Sequence, residues 1–379
     1  MTRFKFKALA AAAALVVSSA ALADITIGVI APLTGPASGL GIPAGNQVKL
    51  WPKTIAGEKL NVILMDDASD PTQGVTQAKR FVERDKVDLI MGSVATPVAA
   101  AIAPVAEESG TVQLAWSPVA VPAGKDKWLF HMPQSNAVMG QAIIAHMKQR
   151  GIKTIGFLGY SDAYGETWLS DFKPLAEQAG MKLVAVERFA RADTSVTGQA
   201  LKLVSAHPDA MLVVASGSGA AMPEMALVER GYQGKIYQTH AAATSDLMRL
   251  GGKAVEGTFV VSGPAVLAEQ LPDSHPSKAE AVKFVQQYEK AYGPGSRNQF
   301  AGHAYDSILV LEKAVPVALK KAKPGTPEFR AALRDAFEQM GSTIVAHGVL
   351  NWTPQDHWGY TPDTGVMMTV ANGAFKVEK

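Results

Sequence analysis

The stretch DLIMGSVATPVAAAIAPVAEESGTVQLAWSP, residues 88–118, decides the architecture. After its leading aspartate, the run 88–91 is apolar on both faces, and so is the run 112–115 that closes the stretch. Between them, 97–108 spaces alanine, valine and isoleucine as a helix does. Strands without a polar face belong to parallel sheets covered on both sides by helices, which strand–helix–strand units build. Working outward, 25–30 and 60–65 read as two more such strands, with helices over 41–51 and 72–85. Asp70-Pro71 gives the second of these helices a carboxylate cap and a proline at its first position. The alternation then restarts. Helices over 135–149, 166–179, 197–206 and 221–231 interleave with strands over 154–158, 183–189, 210–215 and 236–239. A second series of this length predicts a second lobe. Beyond 261 come three helices, 277–292, 300–320 and 326–339, and two short strands, 365–370 and 374–377.

The 379 residues carry 36 Lys plus Arg against 34 Asp plus Glu and no cysteine. No basic field exists to hold nucleic acid, and the lack of cysteine excludes disulfides, thiolate nucleophiles and Cys-ligated metal. Residues 1–23 show a basic start (Arg3, Lys5, Lys7), an apolar centre and the small-x-small site Ala21-Leu22-Ala23. This pattern predicts a cleaved signal peptide and export to the periplasm. Its loss changes the net charge from +2 to −1. No cysteine follows the cleavage site, so no direct lipid anchor to the membrane is expected.

The enzyme motifs are missing: no G-x-S-x-G elbow, no H-E-x-x-H helix and no phosphate loop occur. No cofactor, metal or catalytic residue is predicted. Gly217-Ser218-Gly219 follows a strand, but Met222 stands where a dinucleotide fingerprint needs glycine, so a tight turn is expected. Asp66, Asp67 and Asp70 lack the glycine and distal glutamate of a calcium loop and are read as capping and solvated groups.

The loops after the strands are more informative, because open α/β sheets bind ligands beyond the carboxyl ends of their strands. Gly92 to Pro97 offers the hydroxyls of Ser93 and Thr96 at a helix start, and Ser117-Pro118-Val119-Ala120-Val121 follows the next strand. Tyr160 to Glu166 places two aromatic rings in a third such loop. Thr96 is either a plain helix cap or an anion contact, and Tyr164 either lobe packing or a ligand contact. Such loops suit a small anionic ligand held between two lobes.

With Ile27-Gly28-Val29-Ile30-Ala31-Pro32-Leu33-Thr34-Gly35-Pro36, Asp66 to Pro71, the Gly92 loop, Ser117-Pro118 and Asp162-Ala163-Tyr164-Gly165, the chain resembles type 1 periplasmic solute-binding proteins of the branched-chain amino-acid ABC transporter class over 24–379. The resemblance implies an α/β fold of two doubly wound parallel-sheet lobes joined by three crossings, near 131–135, 260–264 and 346–352. The lobes would be 24–132 with 262–347, and 133–261 with 348–379. It also implies a membrane permease as partner and lobe closure on a small ligand, with no enzymatic activity. Carried over by position, the ligand-binding residues are Leu40, Ser93, Thr96, Ser117, Val119, Ala120, Val121, Tyr164, Gly217, Ser218, His240 and Phe300. Val121 replaces a family threonine, and Leu40 replaces a family aromatic residue.

His240 marks the departure that matters most. The family's amino-acid binders carry a carboxylate there for the ligand ammonium, and an imidazole cannot take that role. The expected ligand is therefore a carboxylic acid without an α-amino group. Gln238-Thr239-His240, residues 265–272 and residues 322–337 also resemble the subgroup that binds aromatic acids of the benzoate type. A branched-chain amino acid stays the alternative, with Asp162 or Glu166 supplying the acid. Were His240 charged, binding would weaken as the pH rises.

Overall fold

The computed structural model describes residues 24–378, so the predicted signal peptide lies outside the described residues. The first sheet joins β1 (Ile25–Ala31), β2 (Thr54–Ile55), β3 (Glu58–Asp66), β4 (Leu89–Gly92), β5 (Val112–Ala115) and β6 (Leu129–His131) in the order β2-β3-β1-β4-β5-β6. Helices α1 (Ser38–Val48), α2 (Pro71–Arg80) and α3 (Thr96–Ser109) connect its parallel strands. The chain then builds a second sheet. β7 (Thr154–Tyr160), β8 (Lys182–Phe189), β9 (Ala210–Val214), β10 (Lys235–Gln238) and β11 (Phe259–Ser262) alternate with α4 (Asn136–Gln149), α5 (Ala163–Gln178), α6 (Thr197–Ser205), α7 (Ala221–Glu229) and α8 (Ser245–Gly251).

After β11 come α9 (Lys278–Tyr292), α10 (Gln299–Leu319) and α11 (Pro327–Glu338). The hairpin of β12 (Thr343–Val345) and β13 (Gly348–Leu350) follows, and β14 (Val366–Ala371) and β15 (Ala374–Val377) end the chain. The second sheet runs β15-β14-β11-β10-β9-β7-β8. The molecule thus has two α/β lobes, and both sheets are mixed at an edge: β2 is antiparallel to β3, while β14 and β15 pair antiparallel to their neighbours. β6 and the β12–β13 hairpin are three-residue strands, too short to show a period, and the sequence pattern gave no sign of them.

Three local devices hold these elements in place. Asp70 caps α2 by accepting the Gln73 N–H at 2.8 Å. Helix α10 is tied to the first lobe by two indoles: Trp51 donates to the Ala304 carbonyl at 3.0 Å and Trp116 to the Ser307 hydroxyl at 2.8 Å. Where the chain passes between the sheets, the segments meet around His347. The Gln134 amide donates to the His347 carbonyl at 2.8 Å, and a Cβ on Gly263 would lie 2.7 Å from the His347 ring. The buried Asp306 carboxylate accepts the N–H groups of Ala346 and His347 and stands 2.8 Å from His347 Nδ1. A fully buried carboxylate costs several kcal/mol unless its lone pairs are used, and here they fix the last passage to α10.

Candidate functional site

One small cavity lies between the lobes, and nearly every residue lining it follows the carboxyl end of a strand. From the first lobe come Leu40 after β1, Val94 and Thr96 after β4, Trp116 and Ser117 after β5, and Phe300 from the start of α10. From the second come Tyr164 after β7, Arg191 after β8, Ser216 after β9 and Ala241 after β10. The lobes are closed: only about 10 Å³ admits the centre of a water molecule. Leu40 seals the seam, since a Cβ on Gly217 would lie 2.6 Å from its Cδ1. A ring-bearing ligand enters such a site only if the lobes part.

Arg191 is the one charged side chain lining the cavity, among the described residues. Its guanidinium lies over the Tyr160 ring at 4.1 Å, its Nη1 donates to the Ser216 hydroxyl at 2.9 Å, and its Nε donates to Asp162 Oδ2. Asp162 is itself engaged, because its other oxygen caps α5 by accepting the N–H of Tyr164 at 2.9 Å. Glu166 is bound bidentately by Arg188 on the surface, which lowers its pKa. The fork of Arg191, fixed on three sides, suits a carboxylate.

Three aromatic rings, Trp116, Tyr164 and Phe300, make the apolar part of the wall. The Tyr164 hydroxyl lies 2.7 Å from the Thr239 hydroxyl, and burial pushes its pKa upward. His240 is buried behind Ala241, with its ring 6.2 Å from that of Tyr164 and 5.8 Å from Trp168. Burial pushes its pKa down to about 3, with the nearby His347 adding to the effect. The imidazole of the ligand-free chain is therefore neutral near pH 7 and can donate or accept, so the condition for pH-weakened binding, a charged His240, is not met there. His240 Nδ1 and both nitrogens of the buried His303, one turn beyond Phe300, have no hydrogen-bond partner.

Of the residues singled out from the sequence, Leu40, Thr96, Ser117, Tyr164 and Phe300 line this cavity. His240 and Gly217 adjoin lining residues, and Ser218 is exposed beside Ser216. Ser93 is buried and holds its loop together. Its hydroxyl accepts the Ala95 N–H at 3.1 Å and its carbonyl accepts the Ser117 hydroxyl at 3.0 Å. Val119, Ala120 and Val121 line a different cavity, because the chain turns away after Pro118 and the Val119 carbonyl pairs with His131. Thr96 is the first residue of α3 rather than its cap. Arg191, Trp116 and Ser216 also line the cavity, though no sequence motif marks them. Arg191 belongs to no motif, but it stands two residues beyond β8, where a ligand-facing group is to be sought. Asp66, Asp67 and Asp70 serve backbone N–H groups, and no metal-holding group occurs among the described residues.

Comparison with known proteins agrees with the two-lobed fold. A family model described as periplasmic binding protein matches residues 24–373. Leu/Ile/Val-binding protein homolog 3 of Brucella melitensis is 29% identical, with 89% of each chain covered. An extracellular ligand-binding receptor from Rhodopseudomonas palustris is 47% identical with a TM-score of 0.92, covering 94% of this chain and 99% of that one. A solute-binding protein of an ABC transporter from R. palustris BisB5, solved in complex with 3,4-dihydroxy benzoic acid, shares the fold. It is 23% identical with a TM-score of 0.76, covering 93% of this chain and 95% of that one.

Proposed function

The chain belongs to the periplasmic binding protein family, and we propose that it is the substrate-capturing component of an ABC importer for an aromatic carboxylic acid. On this reading residues 1–23 direct export and are removed, and the mature protein binds its ligand in the periplasm and delivers it to a membrane permease. The two lobes, 24–132 with 262–347 and 133–261 with 348–379, close on the ligand as a clamp, and no chemistry is done on it. The observation that carries the reading is the charge of the cleft. Among the described residues its lining holds one guanidinium, which is paired through Nε with Asp162 and keeps Nη hydrogens free, and no carboxylate; Asp162 is held by Arg191 and the α5 N–H groups, and Glu166 by Arg188. A ligand ammonium buried there would have no counter-charge, a cost of several kcal/mol. A carboxylate would meet Arg191, with the hydroxyls of Thr96, Ser117 and Ser216 beside it.

The rings of Trp116, Tyr164 and Phe300 favour a flat aromatic body by edge-to-face or offset contact. His240 and His303, which adjoin the lining residues Ala241 and Phe300, hold nitrogens without partners that would meet a hydroxyl or keto oxygen on that body only once the lobes part to admit it. The R. palustris protein solved with 3,4-dihydroxy benzoic acid shows that the same fold accommodates such a ligand. The alternative, a branched-chain amino acid, is favoured by the names of the B. melitensis relative and its kin, which this chain matches over 89% and 93% of their lengths. Mass spectrometry of molecules released on unfolding gently purified protein decides between them. An aromatic acid is expected, whereas leucine, isoleucine or valine as the released species would overturn the proposal.

A further inference from the structure

Three buried imidazoles meet where the lobes join. His303 comes from α10, which is tied to the first lobe, His347 from the last passage between the lobes, and His240 from the turn after β10 of the second. The His303 and His347 rings stack with centroids 4.3 Å apart. His240 is near enough that its charge acts on His303, and that of His347 acts on both. The packing is tight: a Cβ on Gly302 would lie 2.4 Å from His347 Cε1, and one on Gly263 2.7 Å from its Cδ2. Asp306 engages His347 Nδ1 at 2.8 Å. The other nitrogen of His347, both nitrogens of His303 and Nδ1 of His240 are buried with no partner in the protein. A neutral imidazole has one N–H and one bare lone pair, so His303 leaves a donor and an acceptor unused together. Folded proteins pair nearly all such atoms, and a cluster of exceptions calls for a reason.

We propose that these imidazoles form a dry seam that holds the unliganded clamp open, because closing the lobes strips water from nitrogens that find no partner in the protein. The inference rests on the clamp reading of the two lobes. His240 moves with the second lobe and His303 with the first, so parting the lobes draws them apart and admits water between them. A buried polar group left unpaired shifts an equilibrium about tenfold or more, and here the penalty falls on the closed state alone. Ligand contacts must offset it, so closure without ligand is suppressed. The seam also makes closure sensitive to acid. When it is closed, burial pushes the His240 pKa down to about 3 and that of His303 well below the ordinary 6.5. An imidazole that regains water returns towards its ordinary value. The open state therefore takes up more protons, and closure is lost as the pH falls below about 6.5. The other titratable groups facing the seam do not oppose this. Asp306 accepts the N–H groups of Ala346 and His347 beside it in the chain's last passage, so its surroundings travel with it. Burial holds the Tyr164 and Tyr360 phenols above their ordinary range and hence uncharged.

The chain contains no cysteine, so Lys79→Cys on α2 and Lys173→Cys on α5, both exposed, accept a dye pair with one dye on each lobe. Single-molecule energy transfer without any ligand should show the open, low-transfer state dominant at pH 7. His303→Leu and His303→Phe, which remove both unpaired nitrogens at similar size, should each raise the ratio of closed to open molecules about tenfold or more. In the parent, that ratio should fall about tenfold or more between pH 7 and pH 5. Thermal melts establish that the variants are folded, and the pH series on the parent needs no variant. An unchanged ratio in the folded variants, or a parent ratio indifferent to pH, would overturn the proposal. A single transfer value under every condition, unchanged by an aromatic acid, would overturn the clamp reading and the proposal with it.

Discussion

Replacing Gly217 with alanine perturbs the closed clamp at one atom. Gly217 follows β9 of the second sheet at φ +51°, and Leu40 lies in α1, which follows β1 of the first. The new Cβ would lie 2.6 Å from Leu40 Cδ1, whereas carbon atoms pack at about 3.5–4 Å. Two costs separate. The positive φ costs an alanine about 1 kcal/mol whether the lobes are open or closed, so it cancels from binding. The overlap exists only when the lobes meet. Leu40 is 3% exposed and cannot swing away freely, so the closed state loses the ~1–3 kcal/mol typical of overpacking. If binding requires closure, Gly217→Ala should raise the Kd roughly 5- to 150-fold. Calorimetry of Gly217→Ala, Leu40→Ala and the double variant forms a cycle, in which Leu40→Ala should recover most of the loss despite its own missing ligand contact. Wild-type affinity in Gly217→Ala, or no recovery in the double variant, would refute a closure that brings these two residues together.

Arg191→Gln should weaken binding of a carboxylate by roughly ten- to a hundredfold, and Thr96→Val by a similar factor if its hydroxyl meets the anion, since a hydrogen bond to a charged group contributes ~1.5–3 kcal/mol. Unchanged affinity in either folded variant removes that residue from the anion clamp. Small-angle scattering should show a smaller radius of gyration with ligand bound than without, because the closed cleft has no room to admit a ring; identical curves at saturation contradict hinge closure. In the folded chain His131 binds a proton only near pH 4, against 6.5 for an ordinary histidine. The stability it supplies is complete above about pH 6.5 and is lost as the pH falls towards 4. Denaturant titrations should therefore show the acid-side slope flattened by about 1.4 kcal/mol per pH unit in His131→Asn, and an unaltered slope means that His131 is not buried neutral.

The architecture was legible because parallel strands buried on both faces leave uninterrupted apolar runs, such as 88–91 and 112–115, that survive any change of loop. The loops that bear Thr96, Ser117 and Tyr164 followed from the rule that ligands sit beyond strand ends. The same rule would have reached Arg191, Trp116 and Ser216, but arginine, tryptophan and serine in a loop carry no spacing to set them apart from solvated residues. Val119 to Val121 shows the opposite error. Position in the chain put them near the ligand, yet the backbone turns after Pro118 and delivers them to a different cavity. The neutrality of His240 was not readable at all, because a pKa near 3 is set by the walls around the ring, including His347 from a segment over one hundred residues away.

The central claim is that the cleft accepts an aromatic acid and refuses an α-ammonium, and a thermal-shift panel tests it most directly. Phenylpyruvate is set beside phenylalanine, the branched-chain keto acids beside leucine, isoleucine and valine, and benzoate-type acids are added. A ligand at about a hundred times its Kd stabilises the folded state by ~2.7 kcal/mol, a readily measured shift. The account predicts upward shifts with the aromatic acids and none with the free amino acids. Stabilisation by leucine and by no aromatic acid would contradict it.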